Sequence, residues 1–227
     1  MIRFLALLLL LLPSFGLAED LVFGRRNPET ASYETFPAFY DVTRVEDDAK
    51  LTHRAHPSWD AERVGGPTYG LIDRNVEIVA LSLDQAWGLT TNDLWLPLEF
   101  LTRKPARFSS VRPDWEVPAE FPVKCGPGAP YWAMTINPNG TYIYTSGTGD
   151  RRSGRLTYTP SDEGILSYSY HGLSDDGSTE VAIVVTRTLC TTPGWGSNRH
   201  AFGFVAELDL ETPLGQRQSG FCCNLVP

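Results

Sequence analysis

Tyr131-Trp132-Ala133-Met134-Thr135-Ile136, Asn137-Pro138-Asn139-Gly140 and Thr141-Tyr142-Ile143-Tyr144-Thr145 together decide the fold. The first six residues alternate with period two, the spacing of a strand with one buried face. Asn-Pro-Asn-Gly is a strong hairpin turn, because Asn and Gly tolerate positive φ. The next run, rich in β-branched and aromatic residues, returns antiparallel. The same pattern recurs downstream. Strands are expected at Gly154–Tyr158, Ile165–Tyr170, Glu180–Arg187, Ala201–Leu210 and Gly220–Cys223, with a turn at Ser174-Asp175-Asp176-Gly177. This predicts an antiparallel meander of about six to eight strands, closed or nearly closed.

Upstream, short strands are expected at Ala38–Val42, Lys50–Ala55, Arg63–Gly65, Val76–Leu81, Ala86–Thr90, Leu94–Leu96 and Phe100-Leu101. That many short strands in one small segment suits a small barrel. Helical periodicity is nearly absent, so the fold class is all-β: a small barrel followed by an antiparallel β-barrel or meander. Arg103 to Pro122 carries Pro105, Pro113, Pro118 and Pro122. Proline lacks a backbone donor, so this stretch cannot run through the middle of a sheet. The expected organisation is a polar N-terminal arm at 19–36, a first domain at 37–104, a Pro-rich linker at 105–120 and a second domain at 121–227.

Residues 1–18 stand apart. Met1-Ile2-Arg3 is a short basic start, Phe4 to Leu12 is apolar with six consecutive leucines, and Gly16-Leu17-Ala18 supplies small residues before Glu19. This is the pattern of a secretory signal peptide, and the apolar run is too short for a spanning helix. The expected mature chain has 209 of the 227 residues and no membrane span. Losing Arg3 leaves 18 basic against 27 acidic side chains, so its net charge is −9 where the whole chain has −8. That excess of acid argues against nucleic acid, which needs a basic patch, and against direct adhesion to anionic lipid.

Export places the cysteines in an oxidising compartment. Cys125, Cys190, Cys222 and Cys223 are all in the second half. Adjacent cysteines rarely bond each other because the peptide would be strained. Cys125 and Cys190 are therefore each expected to take one of Cys222 and Cys223, which leaves two pairings open.

The first half resembles bacterial SH3-like (SH3b) domains. The resemblance rests on Leu51-Thr52-His53-Arg54-Ala55-His56-Pro57-Ser58, Arg63-Val64-Gly65, Val76 to Leu81, Ala86-Trp87-Gly88-Leu89, Leu94-Trp95-Leu96 and Phe100-Leu101. The chain departs from the family pattern at His53, at Leu94 and in Gly65 to Pro67. The resemblance implies a small barrel that binds cell-wall peptide or a protein partner. The second half is similar to a group of secreted bacterial proteins of no assigned activity. It shares Cys125, Pro130-Tyr131-Trp132-Ala133-Met134-Thr135-Ile136, Thr188-Leu189-Cys190 and Gly220-Phe221-Cys222-Cys223, with Ala129 where the group often has Glu. This likeness implies a β-domain stapled by its cysteines.

Candidate chemistry is sparse. His53 and His56 are three apart, which puts them on opposite faces of a strand, and His171 and His200 are isolated; no metal site is expected. Asp47-Asp48 and Asp175-Asp176 lie in turn-like polar clusters, where they suit solvated turns better than a glycosidase pair. No Gly-x-Ser-x-Gly, His-Glu-x-x-His or phosphate loop occurs. Arg151-Arg152 and Arg155 form one small basic patch, and Asn139-Gly140-Thr141 is a formal glycosylation sequon that the hairpin turn accounts for. Aromatics are the better lead: Trp59, Tyr69, Trp87 and Trp95 are the candidate ligand-binding residues, because aromatic grooves bind peptide or sugar by stacking. The expectation is an exported, periplasmic, non-catalytic envelope protein without a cofactor. The alternatives are a carrier of a small apolar ligand, an accessory or inhibitor subunit of an envelope enzyme, and a cell-wall hydrolase.

Overall fold

The computed structural model describes residues 21–26, 33–43, 51–69, 76–104, 122–128, 132–160, 167–193, 199–211 and 216–226. The signal sequence and the Pro-rich segment from Pro105 to Phe121 lie outside them, as do Asp47-Asp48, Trp115 and Trp195. The described residues hold seventeen strands and one 3-10 turn at Leu98–Phe100. The fold is all-β.

Eight strands close a barrel in simple meander order: β10 (Val123–Gly128), β11 (Trp132–Ile136), β12 (Thr141–Thr145), β13 (Arg151–Pro160), β14 (Ser167–Ser174), β15 (Glu180–Pro193), β16 (Arg199–Glu211) and β17 (Gln216–Leu225). The opening hairpin pairs Met134 with Tyr144 and Ile136 with Tyr142. Gly140 sits at φ 83°, and the Asn139 side chain accepts the Thr141 amide at 3.0 Å, so this turn is built as its residues require. Strands β13 to β17 run longer than the sequence pattern predicts, because each stays paired into the polar stretches that flank its apolar run. At the β14–β15 turn, Asp176 accepts from the Ser174 and Ser178 hydroxyls and from the Ser178 amide. Those bonds pull its pKa down to about 2. Asp176 is thus a turn-capping carboxylate.

Inward side chains fill the barrel: Met134, Ile136, Tyr142, Leu156, Tyr168, Tyr170, Ile183, Phe204 and Leu208 are all buried in one cluster. Burial holds the Tyr168 and Tyr170 hydroxyls well above the ordinary tyrosine pKa. The alternate residues Arg155, Thr157, His171, Glu180, Glu207 and Asp209 are exposed, and the apolar Ile143, Leu173, Val184 and Leu189 are exposed beside these polar groups on the outer wall.

Both bridges lie in this barrel. Cys125 pairs with Cys223 and Cys190 with Cys222. The alternation of a strand explains the choice. Cys223 is buried and faces inward, directly opposite buried Cys125 on the neighbouring strand. Cys222 must then point the other way, where partly exposed Cys190 meets it.

The first half forms a seven-stranded antiparallel sheet in the order β5-β4-β8-β7-β6-β3-β9. Its strands are β3 (Ala38–Val42), β4 (Leu51–Arg54), β5 (Arg63–Tyr69), β6 (Val76–Leu81), β7 (Trp87–Thr90), β8 (Trp95–Pro97) and β9 (Leu101–Arg103). His53 is buried and His56 exposed, and no cluster of three His, Cys, Asp or Glu that could hold a metal ion occurs among the described residues.

The segment expected to be a polar arm instead joins the fold. β1 (Gly24–Arg26) and β2 (Tyr33–Thr35) form a hairpin, Val22 bridges to Leu81, and Phe36 is completely buried, stacked parallel to Tyr40. Arg25 pairs across the strands with Glu34, so two of the polar groups that made the segment read as an arm satisfy each other. The two halves also touch directly. Buried Arg187 lies against the Tyr168 and Phe204 rings and donates from Nη1 to the Phe36 carbonyl at 2.6 Å. The Leu225 amide donates to Glu77 Oε1 at 3.0 Å, and the Ala201 amide to the Thr91 carbonyl at 3.0 Å. Gly203 makes this approach possible: a Cβ there would sit 2.7 Å from Pro37 Cδ and 3.0 Å from the Val79 carbonyl oxygen.

Candidate functional site

The sheet and the N-terminal hairpin enclose a groove of about 710 Å³. That is within the size range of small-ligand sites. Trp59 and Trp87 line it, together with Arg25, Glu34, Tyr40 and Arg103.

Two turns place the aromatic lining residues. In the Ser82–Trp87 turn, the Ser82 hydroxyl accepts the Trp87 amide at 3.1 Å, and Asp84 accepts the Ala86 amide at 3.0 Å. This delivers Trp87 into the sheet, 4% exposed, where it packs with Leu89, Trp95 and Ala201. Trp59 comes from the loop after β4. The Arg54 guanidinium holds that loop by donating to the Ala61 carbonyl at 2.9 Å, and it lies 5.8 Å over the Trp59 ring. The Trp59 ring meets Trp87 at 5.0 Å and Phe100 at 6.3 Å, both edge-on, yet it remains 54% exposed. A large apolar face is therefore held rigidly at the surface, which ordinary solvation does not favour.

The two arginines of the lining sit on Phe36. The Arg25 and Arg103 guanidiniums lie 6.0 and 5.8 Å from its ring. Arg25 Nε donates to Glu34 Oε2 at 2.8 Å, and Arg103 Nη2 to the Thr35 carbonyl at 3.2 Å. On the rim, Gln85 adopts φ 59°, a left-handed conformation that a residue with a Cβ enters at a cost.

Of the four aromatic residues expected at a site, the structure brings Trp59 and Trp87 together. Trp95 does not line the groove; it is buried in the same cluster as Trp87, Leu89 and Ala201 of the barrel. Tyr69 ends β5, and its side chain lies outside the described residues. Sequence reasoning missed Arg25, Glu34, Tyr40 and Arg103. Arg25 and Glu34 sit in the supposed arm, and only their cross-strand pairing makes them a wall of the groove.

All four cysteines are in disulfides, so none is left as a thiol. No helix among the described residues is long and apolar enough to cross a membrane. Family models, curated proteins and solved structures were compared with this chain, and none matches it.

Proposed function

We propose that the protein is exported to the periplasm and acts there as a non-catalytic envelope protein whose SH3b-like half binds cell-wall peptide in the Trp59 groove. The observation that carries this reading is Trp59 itself, an exposed indole braced by Trp87, Phe100 and Arg54 in a groove that charged groups also line. Such a surface stacks on an apolar side chain or a sugar face while polar groups fix orientation. The disulfides support an oxidising compartment. The carrier alternative gains less support, because the barrel interior is occupied by its own side chains.

Retention of the full mature chain on purified peptidoglycan tests the reading. The wild type is expected to sediment with the sacculi, and Trp59→Ala to stay in the supernatant. Equal recovery of both in the supernatant would sink it.

A further inference from the structure

We infer that the Cys190–Cys222 bridge is a site of thiol–disulfide exchange, opened in the folded protein by a dithiol reductant while Cys125–Cys223 stays closed. The inference rests on the two bridges alone and is independent of the peptide reading.

The bridges start from neighbouring residues, Cys222 and Cys223, and end in opposite surroundings. Cys125 and Cys223 are both 0% exposed and belong to the core cluster of the barrel. Cys190 and Cys222 are both partly exposed. Exchange requires a thiolate to reach one sulfur of the bridge, so access governs its rate. The chain around Cys190 adds to that access. Arg187 pairs with Phe204 and Cys190 with Phe202, so Thr188 and Leu189 stand opposite Gly203 alone. Two residues against one is a bulge, and it interrupts the β15–β16 ladder just before Cys190. The residues on either side of Cys190, Leu189 and Thr191, are exposed.

The architecture lets the outer bridge open without unfolding the barrel. Cys125–Cys223 joins β10 to β17, the first and last strands, and so staples the seam at which the barrel closes. Cys190–Cys222 joins β15 to β17, and both of these strands are already paired with β16. Breaking the outer bridge leaves those ladders and the stapled seam in place. The inner bridge is shielded even from its neighbour, because the Cys222 sulfur lies on the other face of β17.

The exchange is two displacements. A thiolate of the reductant attacks one sulfur of the bridge, the S–S bond breaks, and the other cysteine leaves as a thiolate and takes a proton. The reductant's second thiol gives up its proton and attacks the mixed disulfide. This closes the reductant's own disulfide and releases the first cysteine, which is protonated in turn. The bridge gains two electrons and two protons, and the dithiol loses them.

The test uses the full mature chain and dithiothreitol in native buffer, with free thiols alkylated at intervals and located by peptide mass spectrometry. Cys190 and Cys222 are expected to label together, at least about a hundredfold faster than Cys125 and Cys223, because the inner bridge waits for an opening of the barrel core. Circular dichroism when Cys190 is fully labelled should match that of the untreated protein. The paired variant Cys190→Ala with Cys222→Ala should take up no label over the same period. In unfolding urea the difference in rate should vanish, since both bridges then meet the reagent alike. Equal rates in native buffer, faster labelling of Cys125 and Cys223, or no labelling until the protein unfolds would overturn the inference. So would a difference that persists in urea, which would place its cause outside the fold.

Discussion

The barrel and the sheet are both antiparallel, yet they hold themselves together in different ways. The barrel has strands of up to fourteen residues, closes on itself and carries two disulfides. Closure removes edges, and a filled interior leaves little room to bind. The sheet has strands of three to seven residues, ends at β5 and β9, and has no covalent staple. It takes its order from neighbours: the N-terminal hairpin on one side and the barrel on another. A sheet finished by borrowed contacts can leave a groove where the borrowed piece meets it, and Arg25 and Glu34 reach the site in that way. Self-sufficiency therefore lies in one half and the candidate site in the other.

The largest expected effect breaks the barrel's side of this contrast. The Cys125–Cys223 bridge closes 98 residues and Cys190–Cys222 closes 32. Chain-entropy arguments assign them about 4–5 and about 3–4 kcal/mol. Denaturant unfolding of the paired alanine variants should show the larger loss for Cys125→Ala with Cys223→Ala. An equal loss for both pairs would mean that loop length is not what matters.

The next effect concerns the seam between the halves. Glu77 is buried and accepts the Leu225 amide. Burial raises its pKa to about 7, and the Leu225 bond opposes that only in part. A carboxyl whose folded pKa exceeds its unfolded one stabilises fully below pH 4.5 or so, and that contribution is lost as pH rises through about 7. Glu77→Gln should therefore match the wild type near pH 4 and be more stable near pH 8, by roughly 3 kcal/mol. His53, whose pKa burial lowers, changes stability in the opposite sense. The informative quantity is accordingly the difference between wild type and Glu77→Gln at each pH. A constant difference would show that Glu77 keeps its charge.

Gly203→Ala sharpens the comparison further. Its methyl would press on Pro37 and the Val79 carbonyl, and overpacking of this kind costs about 1–3 kcal/mol. If the sheet borrows order from the barrel, calorimetry should show the sheet melting earlier while the barrel transition stays in place. A uniform shift of one transition would mean that the halves unfold as a unit. The smallest stability effect is expected at Trp59→Ala, about 1 kcal/mol for the lost edge contacts with Trp87 and Phe100, although peptidoglycan retention is lost. Thermal denaturation of that variant checks it.

The barrel was largely legible because its signals are local. Alternation in 132–136 and 141–145, with Asn139-Gly140 between them, needs no distant partner to be read. The disulfides were legible to the point where local reasoning ends. Adjacency excluded Cys222–Cys223, but which of the two faces inward depends on the β10–β17 register, set across the whole domain. Trp87 and Trp95 look alike as sequence and are buried in one cluster with Ala201, more than a hundred positions away, yet only Trp87 lines the groove. The charged wall was the least legible part. Nothing in Arg25 or Glu34 taken singly distinguishes a groove lining from a solvated arm; the information lies in their pairing and in Phe36 beneath them.

The central claim is that ligand enters at the Trp59 groove and leaves the barrel untouched. Titrating soluble cell-wall fragments into the isotope-labelled mature chain, and following the six tryptophan indole N–H signals by NMR, tests it most directly. Large shifts are expected at Trp59, smaller ones at Trp87 against which it packs, and none at Trp95, which does not line the groove, or at Trp132 in the barrel strand β11. Shifts concentrated at Trp132, or no shift at Trp59 at saturating fragment, would contradict it.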